Sequence, residues 1–97
     1  MGSGKKVLEL NEMWENADSN TIAENVKEFL AESGHDSFSA RMKKLIEITG
    51  SSSHTVYAWM NRSRTNVKIP FLKLCMIAEA LEKDVEEMLQ VTMFNKR

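Results

Sequence analysis

Apolar residues recur every three to four positions over most of this chain, the spacing that places them on one face of an α-helix. Five stretches show the pattern, and short polar or glycine-containing segments separate them. The apolar positions lie within residues 22–30, 42–49, 56–60, 71–81 and 85–89. No stretch alternates convincingly between apolar and polar residues, as a half-buried strand would. The pattern therefore predicts an all-α fold of five helices joined by tight turns.

Residues with known preferences for helix ends lie between the predicted helices. Thr21 and Glu24 have the spacing of a capping box for the first helix, and Ser39 is placed to cap the second. Gly50 ends the second helix, where the backbone needs a residue that tolerates positive φ. Pro70 fits the first turn of the fourth helix, because a proline has no amide hydrogen to leave unpaired there.

A shorter apolar pattern precedes the five helices. Val7, Leu10, Met13 and Trp14 recur at helical spacing, although the same segment also suits an extended arm. Because the five helices already supply apolar faces to one another, we expect this stripe to contact a partner protein, and folding back onto its own domain is the alternative. The predicted organisation is an N-terminal tail or short helix at 1–20, a domain at 21–90 and a C-terminal tail at 91–97.

Composition narrows the class of protein. A chain of 97 residues with 42% hydrophobic and 28% charged residues is long enough for one core and too apolar to be disordered. It has no apolar run of the ~18 residues that a membrane span needs. His35 and His54 lack metal-ligand spacing with the single cysteine, Cys75, which itself fits a reducing compartment. We therefore expect a cytoplasmic protein without membrane contact, metal or cofactor.

The charges are distributed unevenly, although the net charge is only −1. Between residues 39 and 73 the only acid is Glu47, against seven bases, which gives this middle segment a charge of +6. The segments on both sides are net acidic. A basic middle between acidic flanks is typical of a protein with one anion-binding surface, and a solvated surface with uneven charge is the alternative.

The two predicted helices around Gly50 carry the strongest indication of function. Gly50 allows a sharp corner between them, and Leu45, Val56 and Trp59 supply apolar side chains that face each other across it. With its apolar residues turned inward, the second helix keeps short polar or flat side chains on its outer face. These are Ser53, His54, Tyr57, Ala58 and Asn61. Such side chains suit contact with the edges of DNA bases.

This segment resembles the Cro/repressor (XRE-type) helix-turn-helix family, and the resemblance covers about residues 22–89. The matching pieces are Leu45-Ile-Glu-Ile-Thr-Gly50, Ser53-His-Thr-Val-Tyr-Ala-Trp-Met-Asn61, Leu74-Cys-Met-Ile-Ala-Glu-Ala-Leu81 and Val85-Glu-Glu-Met-Leu89. Departures are Ile46, where the family usually has a small residue, and Arg62, where glycine is frequent. The resemblance implies a five-helix lambda-repressor-like helix-turn-helix domain with an extra N-terminal segment.

By the same resemblance, the helix at 53–61 would lie in the major groove of an operator, and the chain would be a transcriptional repressor. Base contacts would come from Ser53, His54, Tyr57, Ala58 and Asn61. Phosphate contacts would come from Arg41, Lys43, Lys44, Ser52, Thr55, Arg62, Arg64 and Lys68. Members of the family commonly bind two half-sites, so the resemblance implies a homodimer on double-stranded DNA.

Two other classes of function compete with DNA binding. An enzyme is not expected, because the sequence has no plausible catalytic set, no phosphate-binding glycine loop and little length for a deep pocket. The stronger alternative is a protein-binding module that keeps the helix-turn-helix fold without reading DNA, such as an antirepressor, an antitoxin-like partner or a phage inhibitor. The acidic flanks and Trp14 would suit such a module. Salt dependence separates the two, because binding to phosphates releases counterions.

Overall fold

The computed structural model describes residues 7–61 and 67–90, and every regular element in these ranges is an α-helix. The helices are α1 (Val7–Asn16), α2 (Ser19–Glu32), α3 (Phe38–Thr49), α4 (Ser53–Met60), α5 (Phe71–Leu81) and α6 (Val85–Leu89). The predicted all-α fold is confirmed. Helices α2 to α6 correspond to the five predicted helices, and the N-terminal segment forms α1 in place of an extended arm. None of the described helices is long and apolar enough to cross a membrane.

The apolar faces of α2 to α6 meet in one core. Helix α2 packs against α3, α5 and α6, while α3 also packs against α4 and α5. The large apolar side chains with almost no exposure are Ile22, Val26, Leu30, Leu45, Val56, Ile69, Leu74, Ile77 and Met88. All of them except Ile69, which precedes α5, belong to the predicted apolar stretches. Each helix is therefore held by burial of the face that its spacing predicted.

The residue that caps α2 lies three positions before the predicted capping box. The carboxylate of Asp18 accepts hydrogen bonds from the backbone amides of Asn20 at 3.0 Å and Thr21 at 3.3 Å. The helix therefore starts at Ser19, and the prediction that Thr21 caps it is wrong. The physical reason is that Asp18 satisfies the first amides earlier and places a negative charge at the positive end of the helix.

The cap of α3 also differs from the prediction. Ser37 Oγ accepts a hydrogen bond from the amide of Ala40 at 3.1 Å, so the helix begins at Phe38 and not after Ser39. The two serines have the same capping chemistry, and the earlier one is used because it lets two more residues join the helix. The consequence is that Phe38 becomes a helical residue with a fixed direction for its side chain.

The predicted end of α3 is confirmed. Gly50 has φ +71°, in the left-handed region, and its amide donates to the carbonyl of Ile46 at 2.8 Å. Pro70 lies immediately before α5, one residue outside the first turn in which it was expected. Its backbone angles, φ −59° and ψ 148°, are extended, which suits the residue that leads into a helix.

Helix α1 folds back onto the domain through its last turn. Met13 and Trp14 pack against the core, and the Trp14 indole Nε1 donates to the carbonyl of Ile69 at 2.7 Å. At the other end of the helix, Val7 and Leu8 are 69% and 78% exposed. The apolar stripe is therefore divided: its C-terminal half contacts its own domain, and its N-terminal end faces solvent.

Candidate functional site

The corner between α3 and α4 is held by hydroxyl side chains. Thr49 Oγ1 donates to the carbonyl of Leu45 at 2.8 Å and accepts from the amide of Ser51 at 3.2 Å. Ser52 caps α4 by accepting from the amide of Thr55 at 3.2 Å. The backbone is thus anchored on both sides of the left-handed glycine, and this fixes where α4 starts.

Helix α4 has one buried face and one exposed face. The buried face consists of the three residues that the spacing predicted, each at most 4% exposed: Val56, Trp59 and Met60. The five candidate base-contact residues lie outside the core. Three of them, Ser53, His54 and Tyr57, are exposed, and two, Ala58 and Asn61, are half-buried. The outer face of α4 is therefore open to a partner while its inner face holds the helix in place.

An aromatic ring from α3 lies beside this outer face. Phe38 and Tyr57 meet edge to face, with ring centroids 6.0 Å apart and ring planes at 90°. The two residues are 45% and 43% exposed. Sequence reasoning missed this contact, although a signal was present: Phe38 continues the apolar spacing of Met42 and Leu45 by one turn toward the N-terminus. The surface of α4 thus includes a residue of α3.

The candidate phosphate contacts Lys43 and Lys44 lie on the outer side of α3. Lys43 is exposed, and Lys44 Nζ lies 3.6 Å from the carboxylate of Glu47. Together with His35 and Ala40 they line an open depression of about 470 Å³. The depression belongs to α3 and the turn before it. The two lysines are neighbours in sequence and line the same depression, to which α4 does not contribute.

Three other candidate phosphate contacts make hydrogen bonds within the protein. Arg41 Nη1 donates to the carbonyl of Asp36 at 2.8 Å. Ser52 Oγ donates to Thr55 Oγ1 at 3.1 Å, in addition to capping α4. Substituting Arg41 would disturb the turn before α3, and substituting Ser52 or Thr55 would disturb the start of α4, so all three are poor probes of binding. The candidates Arg62 and Arg64 lie outside the described residues.

Lys68 stabilises α1. Its Nζ donates to the carbonyls of Trp14 at 2.8 Å and Glu15 at 3.3 Å, and it lies 4.5 Å from the centroid of the Trp14 ring. A cation at this position is favourable, because the last carbonyls of a helix carry partial negative charge. These contacts occupy the ammonium group, so we leave Lys68 out of the phosphate contacts that we propose below.

Lys73 has the same role at the end of α3. It lies on α5, and its Nζ donates to the carbonyl of Thr49 at 3.1 Å. Neither α1 nor α3 has a basic residue in its own last turn. The two lysines from elsewhere in the chain supply the missing charge. Part of the basic middle segment therefore holds helices together and is not directed at an external anion.

Cys75 is the one nucleophilic thiol of the chain, and it lies half-buried in α5. Burial raises the pKa of the Cys75 thiol above its usual value, which keeps it protonated at neutral pH. Within residues 7–61 and 67–90, no three His, Cys, Asp or Glu side chains are grouped as metal ligands would be.

Comparisons of the chain with protein-family models, curated proteins and solved structures find no match. The candidate site consists of α4, fixed by its cap and by the glycine corner, with an exposed polar face and an aromatic neighbour on α3.

Proposed function

We propose that this chain is a sequence-specific DNA-binding transcriptional regulator, a repressor, in which α4 enters the major groove of an operator. The observation that supports this most strongly is the division of α4 into a core face and an exposed face of polar and flat side chains. A recognition helix needs both faces. The buried face fixes its position on the domain, and the exposed face reaches the base edges.

The dimensions and chemistry of α4 suit this role. An α-helix with its side chains is ~10–12 Å across, which fits the ~12 Å width of the major groove, and the eight residues of α4 give a helix ~12 Å long that can lie along it. Ser53 and His54 lie in the first turn and Tyr57 lies one turn later, so a hydroxyl, an imidazole and a phenol follow one face. Hydroxyls both donate and accept hydrogen bonds, and the methyl group of Ala58 suits contact with thymine.

Cations outside α4 would bind the DNA backbone. Lys43 and Lys44 are held close together on α3, and Arg62 and Arg64 follow α4 directly in sequence. The segment from 39 to 73 is strongly basic between acidic flanks, which favours an orientation with this segment toward the phosphates. These four cations are the phosphate contacts that we propose.

We propose that the protein binds as a homodimer to two half-sites about 34–36 Å apart, one turn of DNA. Two copies of α4 would double the number of bases read. Val7 and Leu8, at the exposed start of α1, are candidates for the contact between copies or with a protein partner. Met93 and Phe94, in the C-terminal tail, are further candidates and lie outside the described residues.

Binding to a random-sequence duplex at increasing salt concentration tests the proposal. Each phosphate contact releases about 0.9 counterion, so replacing Lys43 and Lys44 by glutamine should lower the slope of log K against log[salt] by about one for each lysine replaced. The control is Lys27→Gln, because Lys27 pairs with Glu24 at 3.8 Å on α2, in the acidic N-terminal stretch. Its slope should equal that of the wild type.

The opposite result would be a folded protein that binds no duplex at low salt, or that binds with no salt dependence. Such a protein does not contact phosphates. That outcome would favour the protein-binding module, whose partner is a protein surface.

A further inference from the structure

We propose that Phe38 is a positioning residue that fixes the ring of Tyr57 for contact with a DNA base; this inference rests on the proposed function. The two rings touch edge to face at 6.0 Å and 90°, the arrangement that aromatic pairs prefer. Both rings are nearly half-exposed, so the contact lies at the surface and outside the core.

The cap of α3 fixes the backbone of Phe38 independently of its contact with Tyr57. Ser37 caps α3 through the amide of Ala40 at 3.1 Å, which makes Phe38 the first residue of the helix. The ring therefore projects from a defined turn of α3. Packing of Leu45 and Val56 into the core holds α3 and α4 together from beneath. The aromatic pair adds a second contact between the two helices on the solvent side, at the end of α3 far from Gly50.

Tyr57 needs such a neighbour. Ser53, one turn earlier on the outer face of α4, is too small to restrict a tyrosine ring, and His54 is itself exposed. A side chain that binds DNA from several rotamers loses affinity when it is ordered in the complex. A ring already fixed by Phe38 avoids that loss. Because only the base-contacting ring is affected, the benefit falls on the selected sequence and not on random DNA.

The test compares the affinity for the selected operator with the affinity for a random duplex. In Phe38→Ala the ratio of the two affinities should fall about threefold to tenfold, the range expected for an aromatic pair and one ordered side chain. Phe38→Tyr keeps the ring and should restore the ratio. In a Tyr57→Ala background, Phe38→Ala should cause no further fall. Leu72→Ala, which removes a side chain that is 75% exposed on α5, is the control and should leave the ratio unchanged.

A second readout does not require DNA. The side-chain couplings of Tyr57 in the free protein, measured by NMR, should show one χ1 rotamer in the wild type and averaging in Phe38→Ala. Helix content by circular dichroism should be equal in the two proteins.

The outcomes separate the inference from the function on which it rests. If the wild type selects no sequence, the proposed function fails and the DNA role of Phe38 fails with it. If the wild type selects a sequence but Phe38→Ala keeps the ratio, or lowers it equally in the Tyr57→Ala background, only the positioning role is rejected. An unchanged Tyr57 rotamer in Phe38→Ala rejects it as well.

Discussion

Replacing Asn25 by alanine should destabilise the domain without touching the candidate functional surface. Asn25 is fully buried in α2, and its Nδ2 donates to the carbonyls of Met88 at 3.0 Å and Gln90 at 2.6 Å. Both carbonyls lie at the end of α6, a helix of five residues that is too short to form alone. One side chain therefore links α2 to the last described helix across more than 60 residues of sequence.

The size of the effect follows from the two hydrogen bonds. Each is worth about 0.5–1.5 kcal/mol, and a buried carbonyl left without a donor costs about 1–3 kcal/mol. The Met88 carbonyl is buried and the Gln90 bond is only part-buried, so water can reach the second acceptor. We expect a loss of about 2–4 kcal/mol, a large part of the ~5–15 kcal/mol that stabilises a typical domain.

Asn25→Asp sharpens this prediction. The two side chains have the same shape, but a carboxylate would face two carbonyl oxygens, so the variant should be less stable than Asn25→Ala at pH 7. Burial would raise the pKa of the new carboxyl in the folded state above its unfolded value. The folded state would then bind the proton more tightly than the unfolded chain, so the loss of stability relative to Asn25→Ala should shrink as the pH falls.

Urea unfolding followed by far-UV circular dichroism measures both variants. The matched control is Asn11→Ala, because Asn11 makes a surface contact with Glu15 at 3.5 Å; its free energy of unfolding should stay within about 0.5 kcal/mol of the wild type. If Asn25→Ala also stayed within that range, the carbonyls of α6 would have to find other donors, and the reasoning would be refuted.

Four further predictions concern other parts of the chain. Trp14→Ala should cost about 2–3 kcal/mol, whereas Trp14→Phe, which keeps a ring and loses the indole donor, should cost about 1 kcal/mol; a Trp14→Phe variant as stable in urea as the wild type would show that the hydrogen bond to Ile69 contributes nothing. Gly50→Ala should cost about 1–2 kcal/mol in thermal unfolding because φ is +71°, and Gly50→Asn should cost less; the reverse order would contradict a backbone origin. Cys75 should react with iodoacetamide at pH 7 more slowly than free cysteine, because its raised pKa leaves less thiolate; an equal or faster rate would argue against burial. His54→Ala and Tyr57→Ala should each weaken operator binding by about 1–3 kcal/mol and leave random-duplex binding nearly intact, and equal losses on both would remove them from base contact.

The apolar spacing predicts the helices well, because each of them buries only one side. In α4, for example, Val56, Trp59 and Met60 are spaced by three and four residues, and all three enter the core. Helix starts are harder to predict. Residues 18–21 all have side chains that cap helices, so the sequence offers several starts of similar energy. Asp18 is selected among them because its carboxylate accepts from the first amides and its charge suits the positive end of the helix.

Contacts between distant parts of the chain are not visible in the local pattern. Lys68 belongs to a basic segment, which favours a phosphate ligand, yet the last carbonyls of α1 bind it first. Asn25 lies on the apolar face of α2, where its polar group has meaning only once α6 is packed beside it. The contact between Phe38 and Tyr57 likewise exists only once α3 and α4 are packed together. The residues on the outer face of α4 can be predicted because they depend on the spacing within one helix. The residues that other helices place beside that face cannot, because they depend on packing.

The central claim is that the outer face of α4 reads a DNA sequence, and selection of binding sites from a random duplex pool tests it most directly. The folded wild-type protein should enrich one defined sequence, arranged as two inverted half-sites about one turn of DNA apart. The Tyr57→Ala variant, selected in parallel, should enrich it weakly or lose preference at the positions that Tyr57 contacts. A wild-type protein that remains folded and enriches no sequence would contradict the claim.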